Sequence, residues 1–151
     1  MGVKNIALLG YKKRGFGKGH FNGFGGKVDE GESMEESLVR ELKEELGVDA
    51  KSFTKIGIID FSFQEVDDLL EVQVFHIDDF SGQIIETEEM KAQWFQVKDV
   101  PYDKMWPGDR YWWPLFLEGK KFKANFLFDK PSSSDSVAKI IEKNIYLVNR
   151  F

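Results

Sequence analysis

Residues 26–48, GKVDEGESMEESLVRELKEELGV, hold a glycine turn followed by a strongly acidic segment with helical periodicity. Ser33 is placed to cap the N-terminus of this predicted helix, because Glu36 follows three residues later and completes a capping box. Gly47 is placed to end the helix, since glycine adopts the left-handed conformation needed there at little cost. Three leucines at four-residue spacing predict the face that packs on a core: Leu38, Leu42 and Leu46.

The predicted helix has a second face made of Glu41, Glu44 and Glu45, which are neighbours because they lie three and four residues apart. Three carboxylates on one turn repel each other, and the helix macrodipole disfavours negative charge near the C-terminus. A hard, oxygen-seeking cation would relieve this repulsion, so the pattern predicts a metal site. The alternative interpretation is an acidic helix face that is simply exposed to solvent.

The length and composition predict one globular domain, residues 1–151, with a hydrophobic core. The chain is 42% hydrophobic and 15% aromatic, which argues against disorder. It has no cysteine, which excludes disulfides and thiolate metal sites. The net charge of −5 argues against a stable complex with nucleic acid, and no apolar run is long enough to span a bilayer. His20 and His76 are far apart in the sequence, and we interpret both as structural.

The apolar patterns outside the acidic helix predict six strands. They lie at Ile6–Leu9, Phe53–Phe63, Leu70–Ile77, Ala92–Val97, Phe122–Phe128 and Ile140–Val148. The second and third of them are expected to form a hairpin, and Ser81-Gly82 marks a turn. A second helix is expected from Asp109 to about Glu118, with Asp109 as its N-cap and Gly119 ending it.

The acidic stretch resembles the signature of the Nudix superfamily at every specified position. That signature is Gly, five residues, Glu, seven residues, and then Arg-Glu-apolar-x-Glu-Glu-x-Gly-apolar. The matching positions are Gly26, Glu32, Arg40, Glu41, Leu42, Glu44, Glu45, Gly47 and Val48. Four further stretches resemble the Nudix members that hydrolyse oxidised purine nucleoside triphosphates: KKRGFGKGHFNGFGGKVDEGE, VFHIDDFSG, EEMKAQWFQ and DKMWPGDRYWWPLFL. The resemblance implies an α/β fold, an α/β/α sandwich with a mixed sheet between helices.

The resemblance also implies a Mg²⁺ site, with Mn²⁺ as the alternative ion. Its residues would be Gly26, Glu41, Glu44, Glu45 and Glu89. Glu41 and Glu45 are the expected main ligands, and Glu89 assists from a loop. Arg40 and Glu32 would pair and hold the preceding loop to the helix. Glu86 and Glu88, in the same loop as Glu89, are interpreted as solvated.

For the substrate, the resemblance implies that Lys12 faces the triphosphate, Asn22 reads the purine edge and Asp109 hydrogen-bonds the base. Six apolar or aromatic side chains would form the walls of the base pocket: Phe16, Phe61, Phe63, Leu70, Trp106 and Trp112. Core packing is the alternative role for each aromatic residue.

The sequence departs from the family pattern in two places. The family has a long strand before the segment that matches Ile6–Gly10, and this sequence has almost no residues for it. Either the sequence starts late, or another segment fills that position in the sheet. The family also has two aspartates after Trp-Pro, whereas this sequence has Gly108 followed by Asp109. Selectivity among purines is therefore expected to differ.

The expected activity is Mg²⁺-dependent hydrolysis of oxidised purine nucleoside triphosphates, of the 8-oxo-dGTP and 2-hydroxy-dATP type, to nucleoside monophosphate and pyrophosphate. Such a reaction would sanitise the nucleotide pool. We expect a monomer of the cytoplasm, with mitochondria and the nucleus as alternatives, that acts on the free nucleotide without a membrane or nucleic-acid partner. Two other functions stay open: a Nudix hydrolase of sugar nucleotides, dinucleoside polyphosphates or capped RNA, and a nucleotide-binding module without catalysis.

Overall fold

A computed structural model describes residues 6–26, 28–132 and 137–151. The elements found there are β1 (Ile6–Lys12), β2 (Phe21–Asn22), α1 (Met34–Leu46), β3 (Asp49–Phe63), β4 (Val66–Ser81), β5 (Met90–Gln96), α2 (Asp109–Leu117), β6 (Phe122–Phe128) and β7 (Ile140–Leu147). Short 3-10 helices at Val97–Asp99 and Tyr102–Lys104 separate β5 from α2. The described residues form two compact units. The first is residues 6–52 with Ile77–Met105, and the second is Phe53–His76 with Trp106–Phe151.

The first unit contains an antiparallel sheet in the order β2-β1-β5, with Ile6 opposite Gln96 and Lys12 opposite Met90. Helix α1 supplies the buried Leu42 and Leu46, which pack with Val48. Several partly buried side chains complete this cluster: Leu8, Phe24, Leu38, Ala50, Ile77, Ile84 and Ala92. The leucine stripe predicted from the sequence is therefore confirmed, because it is the face by which α1 packs.

The ends of α1 are those that its sequence predicts. The Ser33 hydroxyl accepts a hydrogen bond from the backbone N–H of Glu36 at 3.0 Å, and the Glu36 carboxylate accepts one from the Ser33 N–H at 3.0 Å. This reciprocal pair satisfies two of the donors that a helix start leaves free. Gly47 lies at φ 75° and donates its N–H to the carbonyl of Lys43, which ends the helix.

The second unit contains the pairing of β3 with β6 and of β6 with β7, in a sheet whose order is β4-β3-β6-β7. Gly57–Phe63 pairs with Phe122–Phe128 in parallel, and β7 pairs with β6 in antiparallel fashion. This sheet is therefore mixed, as the sequence-based assignment to the α/β class predicts. The predicted hairpin is confirmed, because β3 and β4 are neighbours joined by a turn at Gln64 and Glu65.

An aromatic row on one face of this sheet forms the core of the second unit. Phe122 and Phe126 are almost fully buried, as is Ile59 on the neighbouring strand. Because Phe61 lies opposite Phe126 in register, the two rings stack with centroids 5.8 Å apart. Helix α2 contributes Trp112, Leu115 and Phe116 to the same cluster. The alternation of apolar residues along β6 thus becomes the face that packs beneath α2.

Several predicted element ends differ from those observed. β4 covers Val66–Ser81 where Leu70–Ile77 was predicted, and β3 begins at Asp49 rather than Phe53. Asp109 is not the N-cap of α2, because Gly108 occupies that position and Asp109 is the first helical residue. The turn predicted at Ser81-Gly82 begins one residue later, since β4 extends through Ser81. The position of the long family strand falls on residues 1–5, which lie outside the described residues, and the single domain over residues 1–151 stays a prediction. No helix in the described part of the chain is long and apolar enough to cross a membrane.

Candidate active site

The three glutamates of α1 are held by different partners. Glu41 accepts a hydrogen bond from Nη1 of Arg40 at 2.9 Å, and Glu44 accepts one from the same nitrogen at 3.2 Å. Glu45 turns toward the glycine-rich segment, where its Oε1 accepts the backbone N–H of Gly25 at 2.7 Å. The helix therefore orients its acidic face through one guanidinium and one loop amide.

Arg40 joins α1 to the loop that precedes it. Its Nε and Nη2 donate to the two carboxylate oxygens of Glu32 at 2.7 and 3.1 Å, in the two-point geometry that suits a guanidinium and a carboxylate. Hydrogen bonding to Glu32 raises the pKa of Arg40, and the same contact lowers the pKa of Glu32. Asp29 also approaches Arg40, at 3.4 Å. The predicted Arg40–Glu32 pair is present in the structure.

Gly26 lies directly against the carboxylate of Glu41. A Cβ atom added at Gly26 would come within 2.5 Å of Glu41 Oε1, far inside van der Waals contact. Any other residue at position 26 would therefore push the Glu41 carboxylate out of place. This close approach is the physical reason for glycine at the start of the acidic stretch.

The pKa of Glu45, on α1, is raised above its ordinary value. Burial raises its pKa to about 7, the N–H of Gly25 opposes that shift, and the negative charge of Glu41 adds to it. A half-buried carboxylate beside other carboxylates is costly when ionised unless a positive charge neutralises it. The electrostatics of this helix face therefore favour a cation.

The donor set of α1 suits a hard metal ion, although the side chains are not arranged as a closed site. Carboxylate oxygens and a backbone carbonyl are the ligands that Mg²⁺ prefers. Across residues 6–26, 28–132 and 137–151, no three His, Asp or Glu side chains converge closely enough to hold a metal ion. In the structure, Arg40 forms salt bridges with both Glu41 and Glu44.

Glu89 lies in the loop between β4 and β5, where each of its carboxylate oxygens has its own cation. Oε2 accepts from Nζ of Lys12 at 2.8 Å, and Oε1 accepts from Nε of Arg14 at 3.0 Å. These contacts, that of Lys12 first, lower the pKa of Glu89. The resemblance implies separate roles for Lys12 at the phosphates and for Glu89 at the metal, whereas the structure pairs the two side chains.

Glu86 and Glu88 are exposed, as their interpretation as solvated acids predicts, and each also pairs with a basic side chain. Glu86 accepts from Nζ of Lys13 at 2.5 Å, and Glu88 lies 3.1 Å from Nη1 of Arg14. Sequence reasoning missed Lys13 and Arg14 as partners of this loop. The available signal was the complementary charge of two segments, with three basic residues at 12–14 and three acids at 86, 88 and 89.

Asn22 and Phe16 belong to the same unit as α1. Asn22 is half-buried in β2, opposite Gly10 of β1. Phe16 is 62% exposed in a loop that has glycines at positive φ on both sides, Gly15 and Gly17. An exposed aromatic ring on a tightly folded loop is not a core residue, which leaves a role in binding open to Phe16.

The residues of the second unit that are expected to contact the base differ in how far they are buried. Phe61 and Phe63 are partly buried and stack on the phenylalanines of β6, so part of each ring is committed to the core. Leu70 is 55% exposed on β4. Trp112 stacks on Trp113 with ring centroids 5.3 Å apart.

Asp109 is a buried carboxyl, 8% exposed, whose Oδ2 accepts the backbone N–H of Trp106 at 3.1 Å. Burial raises the pKa of Asp109 to about 7, and the N–H of Trp106 partly opposes that shift. The indole N–H of Trp112 lies close enough to lower the pKa slightly. It makes no hydrogen bond of standard geometry to the described residues.

Gly108 is buried at the start of α2. A Cβ atom at this position would lie 3.4 Å from the ring of Phe126, an ordinary contact distance. The backbone there is helical, with φ −77° and ψ −18°, so any residue can adopt it. The structure thus accommodates a Cβ atom at the position where the family pattern has an aspartate.

Comparison with known proteins gives the class of protein that carries this site. The chain matches the NUDIX domain family over residues 5–116, and it belongs to that family. It is 49% identical over 121 residues to the oxidized purine nucleoside triphosphate hydrolase of Mus musculus, over 80% of this chain and 78% of the relative. The protein of the same name from Danio rerio is 46% identical over the same shares. The sequence-based assignment to the Nudix superfamily is confirmed.

A solved structure shows the same fold. The MutT protein of Bacillus halodurans aligns with a TM-score of 0.78, over 93% of this chain and 90% of that chain. Because the identity is 23%, this likeness concerns the fold alone.

Proposed function

We propose that this chain is a Mg²⁺-dependent hydrolase that converts oxidised purine nucleoside triphosphates, of the 8-oxo-dGTP and 2-hydroxy-dATP type, into nucleoside monophosphate and pyrophosphate. The observation that carries the proposal is the set of glutamates on α1 in a chain 49% identical to a mouse protein named for this activity. The protein would act as a monomer on the free nucleotide pool of the cytoplasm, with mitochondria and the nucleus as alternatives.

Glu41 and Glu45 would hold the ion, with Glu44, Glu89 and the carbonyl of Gly26 assisting. When bound, Mg²⁺, or Mn²⁺ in its place, offsets the charge of the phosphates and lowers the pKa of a coordinated water. The contact between Gly26 and Glu41 supports this assignment, because it leaves no room for a side chain beside the carboxylate.

The reaction would be attack of water on a phosphorus of the triphosphate, with release of pyrophosphate. An α1 carboxylate that does not hold the ion accepts the proton of the attacking water. Arg40 keeps the acidic face aligned through its contacts with Glu32 and Glu41. Lys12 offsets negative charge on the triphosphate.

Recognition of the base would rest on polar groups and aromatic walls. Asn22 and Asp109 would hydrogen-bond the purine edge. The pKa of Asp109, raised to about 7, supports this role, because a carboxyl that keeps its proton near neutral pH can donate as well as accept a hydrogen bond. The walls would be Phe16, Phe61, Phe63, Leu70, Trp106 and Trp112.

The test is an assay of pyrophosphate release from 8-oxo-dGTP, 2-hydroxy-dATP and dGTP, each with Mg²⁺ and with chelator. We expect release with Mg²⁺ only, and a higher kcat/KM for the oxidised nucleotides than for dGTP. Equal rates on dGTP and the oxidised nucleotides would refute the substrate assignment.

The two alternatives are separated by the same assay. Faster turnover of sugar nucleotides, dinucleoside polyphosphates or capped RNA would identify another Nudix substrate. Binding of 8-oxo-dGTP without pyrophosphate release would identify a binding module. The complete set of signature acids argues against the second alternative, because binding alone does not require them.

A further inference from the structure

The loop 82–89, between β4 and β5, is tied to two other segments of its unit. On one side, Ile85 donates its backbone N–H to the carbonyl of Leu46 at 2.9 Å and packs its side chain against Gly47, at the end of α1. On the other side, Lys13 donates its backbone N–H to the carbonyl of Glu89 at 2.8 Å. The loop therefore has anchors that do not depend on the Glu89 side chain.

The two basic residues that follow Lys12 make different contacts with this loop. Nζ of Lys13 bonds Glu86 and, at 2.8 Å, the carbonyl of Thr87, so Lys13 holds the loop but not the Glu89 carboxylate. Arg14 reaches Glu89 itself, at 3.0 Å to Oε1, and Glu88 at 3.1 Å.

Lys12 donates a hydrogen bond to Oε2 of the Glu89 carboxylate, and Arg14 donates one to Oε1. Resting on the proposed function, Lys12 is the cation that a bound triphosphate would attract. When Lys12 turns to the phosphates, Oε2 of Glu89 loses its partner while Oε1 keeps Arg14. A carboxylate held by one guanidinium stays in place with one oxygen free.

We propose that Arg14 is a positioning residue of the active site, which holds the Glu89 carboxylate in its working orientation when Lys12 moves to the substrate. Arg14 acts through Glu89 and touches neither the substrate nor the reacting atoms. The guanidinium suits this task better than an ammonium, because its planar group contacts Glu89 through Nε and Glu88 through Nη1 at the same time.

The central experiment compares Arg14→Gln with Lys13→Gln in steady-state hydrolysis of 8-oxo-dGTP at saturating Mg²⁺. We expect Arg14→Gln to lower kcat about tenfold, since misplacing a catalytic group by about 1 Å can cost up to 100-fold. KM should stay within about twofold. Arg14→Lys should recover part of the loss. Lys13→Gln removes a neighbouring cation that contacts the same loop, 82–89, and should keep kcat within about twofold.

A double-mutant cycle tests whether Arg14 acts through Glu89. Glu89→Gln should slow hydrolysis, and adding Arg14→Gln to it should cause no further loss, because the carboxylate to be positioned is gone. Independent, multiplying losses would overturn the proposal. An equal loss in Lys13→Gln would also overturn it, because Arg14 would then serve only to anchor the loop.

Two measurements do not depend on turnover. The melting temperature of Arg14→Gln should stay within about 4 °C of the wild type, because exposed ion pairs contribute little to stability. The rise in melting temperature on adding Mg²⁺ should be smaller in Arg14→Gln than in Lys13→Gln. Equal rises in the two variants would overturn the proposal.

Failure of this inference differs from failure of the proposed function. A wild type that releases no pyrophosphate from oxidised purine nucleotides refutes the function, and the Mg²⁺-dependent melting shift then decides the role of Arg14. An active wild type with Glu89→Gln at full rate overturns the inference alone, since Arg14 would have no catalytic carboxylate to position.

Discussion

At the residue scale, each unit contains a carboxyl group whose surroundings disfavour its ionised form. Glu45 and Asp109 are both withdrawn from water, and burial raises the pKa of each to about 7. Neither has a cationic side chain among the hydrogen-bond partners found in the structure; each accepts a backbone N–H instead. Withdrawing a carboxyl group from water disfavours its ionised form, although the charge of Lys12 partly opposes that effect at Glu45.

Glu45→Gln should abolish most activity without harming the fold. The amide keeps an oxygen for the Gly25 N–H but removes the charge that a cation needs, so kcat should fall on the order of 10²–10³-fold. Thermal unfolding above about pH 7 should be no easier than in the wild type, because a costly ionised group is gone. Glu35→Gln, in the exposed first turn of α1, is the control and should keep kcat. Loss of less than half the rate in Glu45→Gln would contradict the assignment.

Asp109 should make stability depend on pH in a defined direction. Its folded pKa is about 7 against an ordinary value of 3.8, so the folded protein binds the proton more tightly than the unfolded chain. Its contribution to stability is therefore complete below about pH 4 and is lost as pH rises toward 7. Between about pH 5 and 8 the wild type should lose about 2–3 kcal/mol relative to Asp109→Asn. Urea unfolding at each pH measures the difference, and parallel curves for the two proteins would contradict it.

Gly108→Asp should sharpen discrimination among purines. The helical backbone and the 3.4 Å distance to Phe126 accommodate a Cβ atom at this position. A second acid would add a hydrogen bond to the base edge, which is equivalent to about a tenfold change in the ratio of kcat/KM for 8-oxo-dGTP over dGTP. Gly108→Ala adds the Cβ alone and is the control. A ratio that is the same in both variants would place position 108 outside the base pocket.

At the element scale, the local features were the predictable ones. The capping box of Ser33 and Glu36 and the glycine end of α1 were expected from the sequence and are present. A hairpin of β3 and β4 was expected, with a polar turn through Asp67 and Asp68, but the structure places the turn at Gln64 and Glu65. Glu65 takes a positive φ of 66° there, in a turn without glycine.

Glu65→Gly should stabilise the hairpin. A non-glycine residue in the left-handed region costs about 1–2 kcal/mol, and the added freedom of glycine in the unfolded chain offsets about half of that. A net gain of about 0.5–1 kcal/mol in the free energy of unfolding is expected from urea denaturation. Gln64→Gly, at the preceding position without a positive φ, should instead destabilise the protein. A loss of stability in Glu65→Gly would show that the turn carries no strain.

At the scale of the whole molecule, β7 completes the sheet of the second unit, because it pairs with β6 at the edge. The strand predicted at Ile140–Val148 is observed as β7, and its residues from Ile145 to Leu147 pair with Phe122–Ala124. Ile145 packs on the phenylalanine core. The sheet therefore depends on a segment far from α1 in sequence.

Deletion of residues 143–151 should leave the protein insoluble or molten. It would expose the backbone groups of β6 and one side of the phenylalanine row, at a cost of several kcal/mol. Near-ultraviolet circular dichroism should show loss of fixed aromatic packing. Deletion of residues 149–151 alone, beyond β7, is the control and should preserve the spectrum. An unchanged melting temperature in the longer deletion would contradict the prediction.

The sequence by itself determined the helix that carries the candidate metal ligands, because its caps, its leucine stripe and its acidic face depend on residues within one or two turns of each other. Its match to the Nudix signature gave the family for the same reason, since that signature is a local pattern. The tertiary structure alone decided the partners of Glu89, which lies 77 residues from Lys12. It also decided the parallel pairing of β3 with β6 and the burial that raises the pKa of Asp109 to about 7. These features arise from contacts between distant segments, and their energies depend on distance and burial, which no local pattern of residues specifies.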